Sequence, residues 1–331
     1  MNRELGKDIL VSISCITYNH APYIKQCLDG FLMQRTNFAF EVLVHDDCST
    51  DGTTEIIKEY ESKYPDIIKP IYEDENQYQQ GKPSGSSVWN YPRAKGKYIA
   101  LCEGDDYWTD PLKLQKQVDI MEENIEYTMC CSDAVIKTND SELDWKRYAE
   151  DQTIPVEDII LGGGLFIQTA TLLFRCELIS KERYPDFAKK CHVGDYPLQI
   201  FAALTGKVFW LADKMAVYRF QVGNSWTSLN KTQICSDKMI KGWQSEVKML
   251  KGMDNLSKGL YHDTFNKRIS VYVLSIISKY RKDIVRLSNV FAEEISMFSF
   301  NQKIRLYLLK PYFNNVYTLM SKIYHGIKIR R

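Results

Sequence analysis

A chain of 331 residues with 44% hydrophobic and 26% charged residues has the balance of a soluble globular protein, long enough for one large domain or one domain plus an appendage. Its net charge of +1 supplies no overall field for nucleic acid or any other polyanion, which argues against those partners. Nine cysteines, an odd count without a C-x-x-C pair, argue against a disulfide scaffold and fit a reducing cytoplasm. Residues 1–7 are polar and mixed in charge with no apolar core behind them. No uninterrupted apolar run reaches about 18 residues, so neither a secretory signal nor a spanning helix is expected.

The first half alternates strand-like and helix-like segments. Residues 9–16 are rich in β-branched side chains and lead into the polar turn Asn19-His20-Ala21-Pro22, with proline near a helix start. Tyr23, Cys27, Leu28, Phe31 and Leu32 then recur at helical spacing. A second strand, residues 40–45, is apolar from Phe40 to Val44 apart from Glu41 and runs into Asp46-Asp47-Cys48-Ser49-Thr50-Asp51-Gly52. The helix that follows carries Ile56, Ile57 and Tyr60, and short strands are expected at 67–72 and 97–102. Strands separated by helices of this length predict a mostly parallel sheet covered on both faces. Residues 73–92 form a long polar connection, read as either a functional loop or a mobile one. Further elements are expected as a helix at 111–123, strands at 128–137 and 166–175, a helix from Asp195 to Leu204, and one or two strands at 207–219. From about residue 228 strand signals give way to long helical periodicity, through Met239, Trp243 and Met249 and later Tyr272, Leu274 and Ile277. The expected division is residues 1–228 as an α/β domain and 229–331 as a helical C-terminal region.

The run Cys102-Glu103-Gly104-Asp105-Asp106-Tyr107-Trp108 closes a predicted strand with three carboxylates in four positions. At ~4 Å and an effective dielectric of ~20, one such pair repels by about 4 kcal/mol. A divalent cation relieves that repulsion, and hard oxygen ligands suit Mg2+ or Mn2+. Thr17-Tyr18-Asn19 and Asp46-Asp47 fall at two other strand ends. In open α/β sheets that edge is where ligands bind.

Taken together these segments resemble glycosyltransferase family 2, whose members are inverting enzymes of the GT-A fold. The resemblance runs from about residue 9 to residue 228. It rests on Ile16-Thr17-Tyr18-Asn19, Asp46-Asp47-Cys48-Ser49-Thr50-Asp51-Gly52-Thr53 and Glu103-Gly104-Asp105-Asp106-Tyr107-Trp108. Weaker pieces are Thr169-Ala170-Thr171, Gly194-Asp195-Tyr196-Pro197 and Met215-Ala216-Val217-Tyr218-Arg219. It implies a metal-dependent enzyme moving a hexosyl- or hexosaminyl-type sugar from a nucleoside-diphosphate sugar, UDP foremost, to an acceptor hydroxyl. Thr17, Tyr18, Asn19 and Asp47 would then hold base and ribose, Asp105 would contact ribose or sugar, and Asp106 would ligate Mn2+ or Mg2+. Asp195 matches the family's general base. Many relatives carry a histidine shortly after the Tyr-Arg pair; here Phe220-Gln221 stands there, and Gln221 could donate to a phosphate oxygen.

Other readings stand beside these. Asp195 before a helix is commonly an N-cap. Glu103, Trp108 and Thr169 could contact sugar or acceptor, or Trp108 could be ordinary core. Asp46 is read as a supporting residue, Asp51-Gly52 as turn and cap, and His45 and His192 as structural. Nucleotidyl transfer is disfavoured because Thr17 to Tyr23 holds no glycine-rich basic phosphate loop. A degenerate, binding-only family member is the non-enzymatic alternative. Residues 301–331 contain no Asp or Glu and seven Lys or Arg interleaved with aromatics and aliphatics. Such a tail suits peripheral attachment to an anionic cytoplasmic membrane face, near a glycan or lipid-linked glycan acceptor in surface polysaccharide assembly; a helix docked on the catalytic domain is the alternative.

Overall fold

The computed structural model describes residues 8–82, 85–138, 140–143, 147–220 and 235–308. The chain divides into two compact units, Met1–Asn230 and Lys231–Arg331. In the first, ten strands form one sheet among the described residues. They are β1 (Ile9–Thr17), β2 (Ala39–Asp46), β3 (Ile68–Tyr72), β4 (Tyr98–Leu101), β5 (Tyr107–Trp108), β6 (Tyr127–Lys137), β7 (Glu142–Leu143), β8 (Gln152–Thr153), β9 (Leu173–Arg175) and β10 (Lys207–Arg219). Their order is β3-β2-β1-β4-β9-β6-β10-β5, with β7 beside β6 and β8 beside β10. The longer pairings, β1 with β2 and β4, β2 with β3, and β6 with β10, are all parallel. Antiparallel pairings through β5, β7, β8 and β9 are short, so the sheet is mixed.

Helices α1 (Ala21–Leu32), α2 (Thr53–Lys63), α3 (Ser86–Trp89) and α4 (Lys113–Glu123) lie in the connections of the first half. Helices α5 (Val156–Gly162), α6 (Asp186–Lys189) and α7 (Asp195–Thr205) lie in the second. Helix α1 has proline in its first turn and buries Ile24, Cys27, Leu28 and Phe31, a 3.6-residue stripe against the sheet. Glu41, the polar exception in β2, is buried but satisfied: it accepts from Ser12 Oγ at 2.7 Å and from the Lys95 amide at 2.9 Å. Parallel pairing sets the carboxyl ends of β1, β2 and β4 side by side, with Thr17 opposite Asp46 and Ser14 opposite Leu101.

Two expectations shift. The strand expected at 166–175 is reduced to β9, because Thr171 turns back: its amide and hydroxyl both donate to Gln168 O, at 2.9 and 2.8 Å. Such local bonds compete with a strand ladder. Helix α5 arises where the sequence showed no clear periodicity. The second unit is helical among its described residues, with long helices at Asp237–Leu256 and His262–Lys279. The first is capped by Ser236, whose hydroxyl accepts from the Met239 amide at 3.3 Å. No helix among the described residues is long and apolar enough to cross a membrane.

Candidate active site

The acidic turn is docked onto β1 by main-chain bonds that extend the parallel ladder past its strands. The Cys102 amide donates to Ser14 O at 3.2 Å and the Gly104 amide to Ile16 O at 3.0 Å. Gly104 has to be glycine at this approach. A Cβ there would lie 2.6 Å from Thr17 Oγ1, 2.8 Å from Thr17 Cβ and 2.9 Å from His20 Nδ1. The turn closes through the Asp106 amide on Glu103 O at 3.0 Å.

This closure brings oxygen atoms of Glu103, Asp105 and Asp106 within 4.8 Å of one another. Asp106 is fully buried; its Oδ1 accepts from the Arg219 amide at 2.7 Å and its Oδ2 has no hydrogen-bond partner. Burial, then the neighbouring charges of Asp105 and Glu103, push the Asp106 carboxyl well above its usual range, with Arg219 opposing. Burial first, then Asp105 and Asp195, raise Glu103 to about 8. Converging hard oxygens, mutual repulsion and an unsatisfied buried carboxylate oxygen are what a divalent cation would answer. The residues therefore fit one.

Asp195 opens helix α7. Thr169 Oγ1 donates to its Oδ2 at 3.0 Å, and the Tyr196 amide donates to its Oδ1 at 2.8 Å. Burial raises its pKa, and these two hydrogen bonds pull it back down. Its charge is felt by Glu103, and Tyr218 is pushed to high pKa by burial and by Asp106, Glu103, Asp105 and Asp195 together. Tyr91 is raised by burial, then by Asp195 and Glu103. Carboxylates from positions about ninety residues apart thus act on common neighbours. The N-cap reading of Asp195 is corrected: Gly194 is the N-cap of α7, no side-chain cap bond is made, and Asp195 is the first helical residue.

The strand-end residues of β1 and β2 are knitted to each other. Asn19 adopts φ 54°, accepts the Thr50 amide on Oδ1 at 2.8 Å and gives its own amide to Ser49 Oγ at 2.9 Å. Asp51 accepts the Ala21 amide at 3.0 Å and the Thr53 amide at 3.1 Å, joining the α1 and α2 starts. Asp46 takes the hydroxyls of Ser49 and Thr54, in keeping with a supporting place. Asp47, 7% exposed, accepts the Gln77 and Tyr78 amides at 2.7 and 3.2 Å, and its own amide donates to Thr17 O at 3.1 Å. The Tyr18 hydroxyl accepts from Gln79 Nε2 at 3.1 Å. Residues 76–79 of the 73–92 connection therefore fold against Tyr18 and Asp47.

Trp108 is a correction: as a possible sugar contact it is displaced into the core. It is 2% exposed, donates Nε1–H to Ala170 O at 2.7 Å, meets Phe31 edge-on at 4.8 Å and carries Lys113 Nζ 4.2 Å from its ring. An indole this enclosed leaves no face for a sugar. Gln221 lies outside the described residues. His45 stacks on Trp89 at 4.9 Å and lies 3.4 Å from Glu73, a local packing role. Two site neighbours were missed in the sequence. His20 Nε2 lies 3.9 Å from Asp105 Oδ2, and burial lowers its pKa against the pull of Asp105. Arg219 binds the acidic turn from β10; its place after Tyr218 in the quoted motif was the available signal.

A mixed α/β sheet flanked by helices, with carboxylates gathered at its strand ends, is the GT-A architecture. The sequence matches the family model described as Glycosyl transferase family 2 over residues 12–182, and the chain belongs to that family. An uncharacterized protein of Mycobacterium tuberculosis is 38% identical over 227 residues, which is 66% of this chain and 61% of that protein's length. The chain thus spans about three fifths of this mycobacterial relative. Among solved structures, S. aureus TarS 1–349 in complex with UDP-GlcNAc aligns with TM-score 0.58 at 17% identity, covering 87% of this chain and 89% of that one. A mannosyltransferase from Pyrobaculum calidifontis in complex with GDP-Man and Mn2+ gives TM-score 0.52 at 15% identity, covering 97% and 88%. At these identities the likeness is one of fold.

Proposed function

We propose that this chain transfers a hexosyl or hexosaminyl group from a nucleoside-diphosphate sugar, UDP foremost, to an acceptor hydroxyl with inversion at the anomeric carbon. One observation carries the reading above others: Glu103, Asp105 and Asp106 bring oxygens within 4.8 Å of one another at the strand ends, with the buried Asp106 Oδ2 unpartnered, and the charge of Asp195 is among those acting on Glu103. Inverting transfer is a single displacement. The acceptor oxygen forms the new glycosidic bond as the bond to the diphosphate breaks, and the acceptor proton must go to a base. Asp195 would receive that proton, with Thr169 and the Tyr196 amide holding its carboxylate in line; such a base contributes about 10² to 10⁴ in rate. A divalent cation held by Asp106, with Glu103 and Asp105, would stabilise charge on the departing diphosphate. Thr17, Tyr18, Asn19 and Asp47 would border base and ribose. The fold neighbours solved with UDP-GlcNAc and with GDP-Man and Mn2+ support a nucleotide-sugar donor and a cation of the Mn2+ or Mg2+ type.

The setting we propose is surface polysaccharide or other glycan assembly, with the basic tail at an anionic cytoplasmic membrane face near a lipid-linked acceptor. The exposed Phe300, Ile304 and Tyr307, spaced along the helix Phe300–Leu308 that leads into this tail, support that placement. A panel of UDP-, GDP- and dTDP-sugars, screened for Mn2+-dependent thermal stabilisation and then for nucleoside-diphosphate release, tests the activity. No stabilisation and no release with any of them would overturn it. Unchanged binding to anionic liposomes after removal of residues from 301 onward would overturn the membrane placement.

A further inference from the structure

Arg219, the last residue of β10, reaches three parts of the molecule at once. Its amide donates to Asp106 Oδ1 at 2.7 Å. One guanidinium nitrogen donates to the Asp105 carbonyl and another to Gln26 Oε1 on α1. The guanidinium carbon lies 4.8 Å from the Tyr23 ring centre and 4.5 Å from that of Tyr107, within cation–π range of both. At 9% exposure it is enclosed, and each of these contacts is to protein.

We propose that Arg219 is a positioning residue for the cation site. The inference rests on the reading that Glu103, Asp105 and Asp106 hold a cation. Bonding from the Arg219 main chain fixes the rotation of the Asp106 carboxylate and leaves Oδ2, the oxygen without a partner, to the ion. Bonding from its side chain fixes the Asp105 carbonyl, hence the backbone from which both aspartates project. Gln26 and the two tyrosines hold the guanidinium in turn. A guanidinium donates from two separate nitrogens in fixed directions while its carbon lies against two rings, a geometry that the single ammonium of lysine does not reproduce.

The sign of one measurement separates positioning from mere proximity. A positive charge beside a cation site repels the ion, so removing it should tighten binding if charge is all that Arg219 contributes. If it positions the ligands, removing it should weaken binding despite the lost repulsion. The probe is Mn2+ alone, followed by the electron paramagnetic resonance signal of the free ion, with far-ultraviolet circular dichroism confirming the fold. We expect Arg219→Met and Arg219→Lys each to lose about tenfold or more in Mn2+ affinity, the range typical for residues that orient metal ligands. Gln26→Leu and Tyr23→Leu keep the charge and loosen the guanidinium, and they should weaken Mn2+ binding in the same direction, by less than Arg219→Met does. Equal or tighter binding by Arg219→Met overturns the proposal. Should that variant fail to fold, wild-type affinity in both Gln26→Leu and Tyr23→Leu overturns it instead. A wild-type protein that takes up no Mn2+ removes the cation reading and this inference with it, whereas wild-type binding left intact by Arg219→Met removes the inference alone.

Discussion

Thr169 donates its hydroxyl hydrogen to Asp195 Oδ2 at 3.0 Å while the Tyr196 amide holds Oδ1 at 2.8 Å, so both oxygens of one carboxylate are oriented from within the protein. Burial raises the Asp195 pKa and these hydrogen bonds lower it. Thr169→Val removes one of the lowering contacts, so the pKa rises further and the ionised base is lost at a higher pH than in the wild type. The acid limb of kcat/KM against pH should move upward, with a larger loss of rate at low pH than at high pH. Thr169→Ser should restore the wild-type limb. An unshifted limb in Thr169→Val would show that Asp195 is not the group being titrated.

Asp195→Asn keeps the side-chain shape and the Thr169 contact but cannot take a proton. Turnover should fall by about 10² to 10⁴, with thermal stabilisation by Mn2+ and donor within about 1 °C of wild type. Wild-type turnover in this variant would end the assignment of the base.

Asp106 links the cation to stability. Its folded-state pKa lies above its ordinary value, so the buried anion opposes folding. That penalty is absent below the unfolded pKa of about 3.9, grows as pH rises toward the folded pKa, and is complete above it. Asp106→Asn removes the penalty. Its Tm in chelator should therefore exceed that of the wild type by a margin that widens with pH, while the rise in Tm on adding Mn2+ disappears. Scanning fluorimetry at two pH values, with and without Mn2+, reads both effects.

Gly104→Ala places a methyl group 2.6–2.9 Å from side-chain atoms of Thr17 and His20. The expected loss is about 1–3 kcal/mol of stability, with donor turnover falling as the turn is pushed off β1. Chemical denaturation with a turnover assay checks this. Relief by Thr17→Ala in the same chain would identify the contact responsible.

Trp108→Phe tests the core placement. It deletes the Ala170 hydrogen bond and part of the packing against Phe31, so Tm should fall. KM for the donor sugar should stay within about twofold, because complementarity to sugar is not lost. A large rise in KM at unchanged Tm would return Trp108 to the sugar site.

The elements that chain-local chemistry specifies were legible in the sequence. Apolar strands ending in polar clusters gave β1, β2 and β4, and the proline and apolar stripe gave α1. Glycine after the last apolar residue gave the end of α7, since Gly206 follows Thr205 directly. What escaped was set by partners distant along the chain. Asp47 finds its amides 30 and 31 residues downstream, and Trp108 finds its acceptor 62 residues away. Arg219 reaches back 113 residues to Asp106. No local pattern marks such pairings. Hence Trp108 could be read as either core or sugar platform from sequence, and Arg219 as part of a weak family motif with no role of its own. His20 was overlooked for a simpler reason: the close approach that sets it beside Asp105 depends on the missing side chain of Gly104.

The grip of Asp47 on the Gln77 and Tyr78 amides has a practical corollary. A carboxylate accepts about four hydrogen bonds, so if Asp47 borders the nucleotide base as proposed, that base would either share the anion with those amides or evict them. Either outcome alters their exchange with deuterium, slower when sharing braces the segment and faster when eviction frees it. Two main-chain hydrogens could thus serve as a built-in gauge of whether the nucleotide seat is taken, without labelling any ligand.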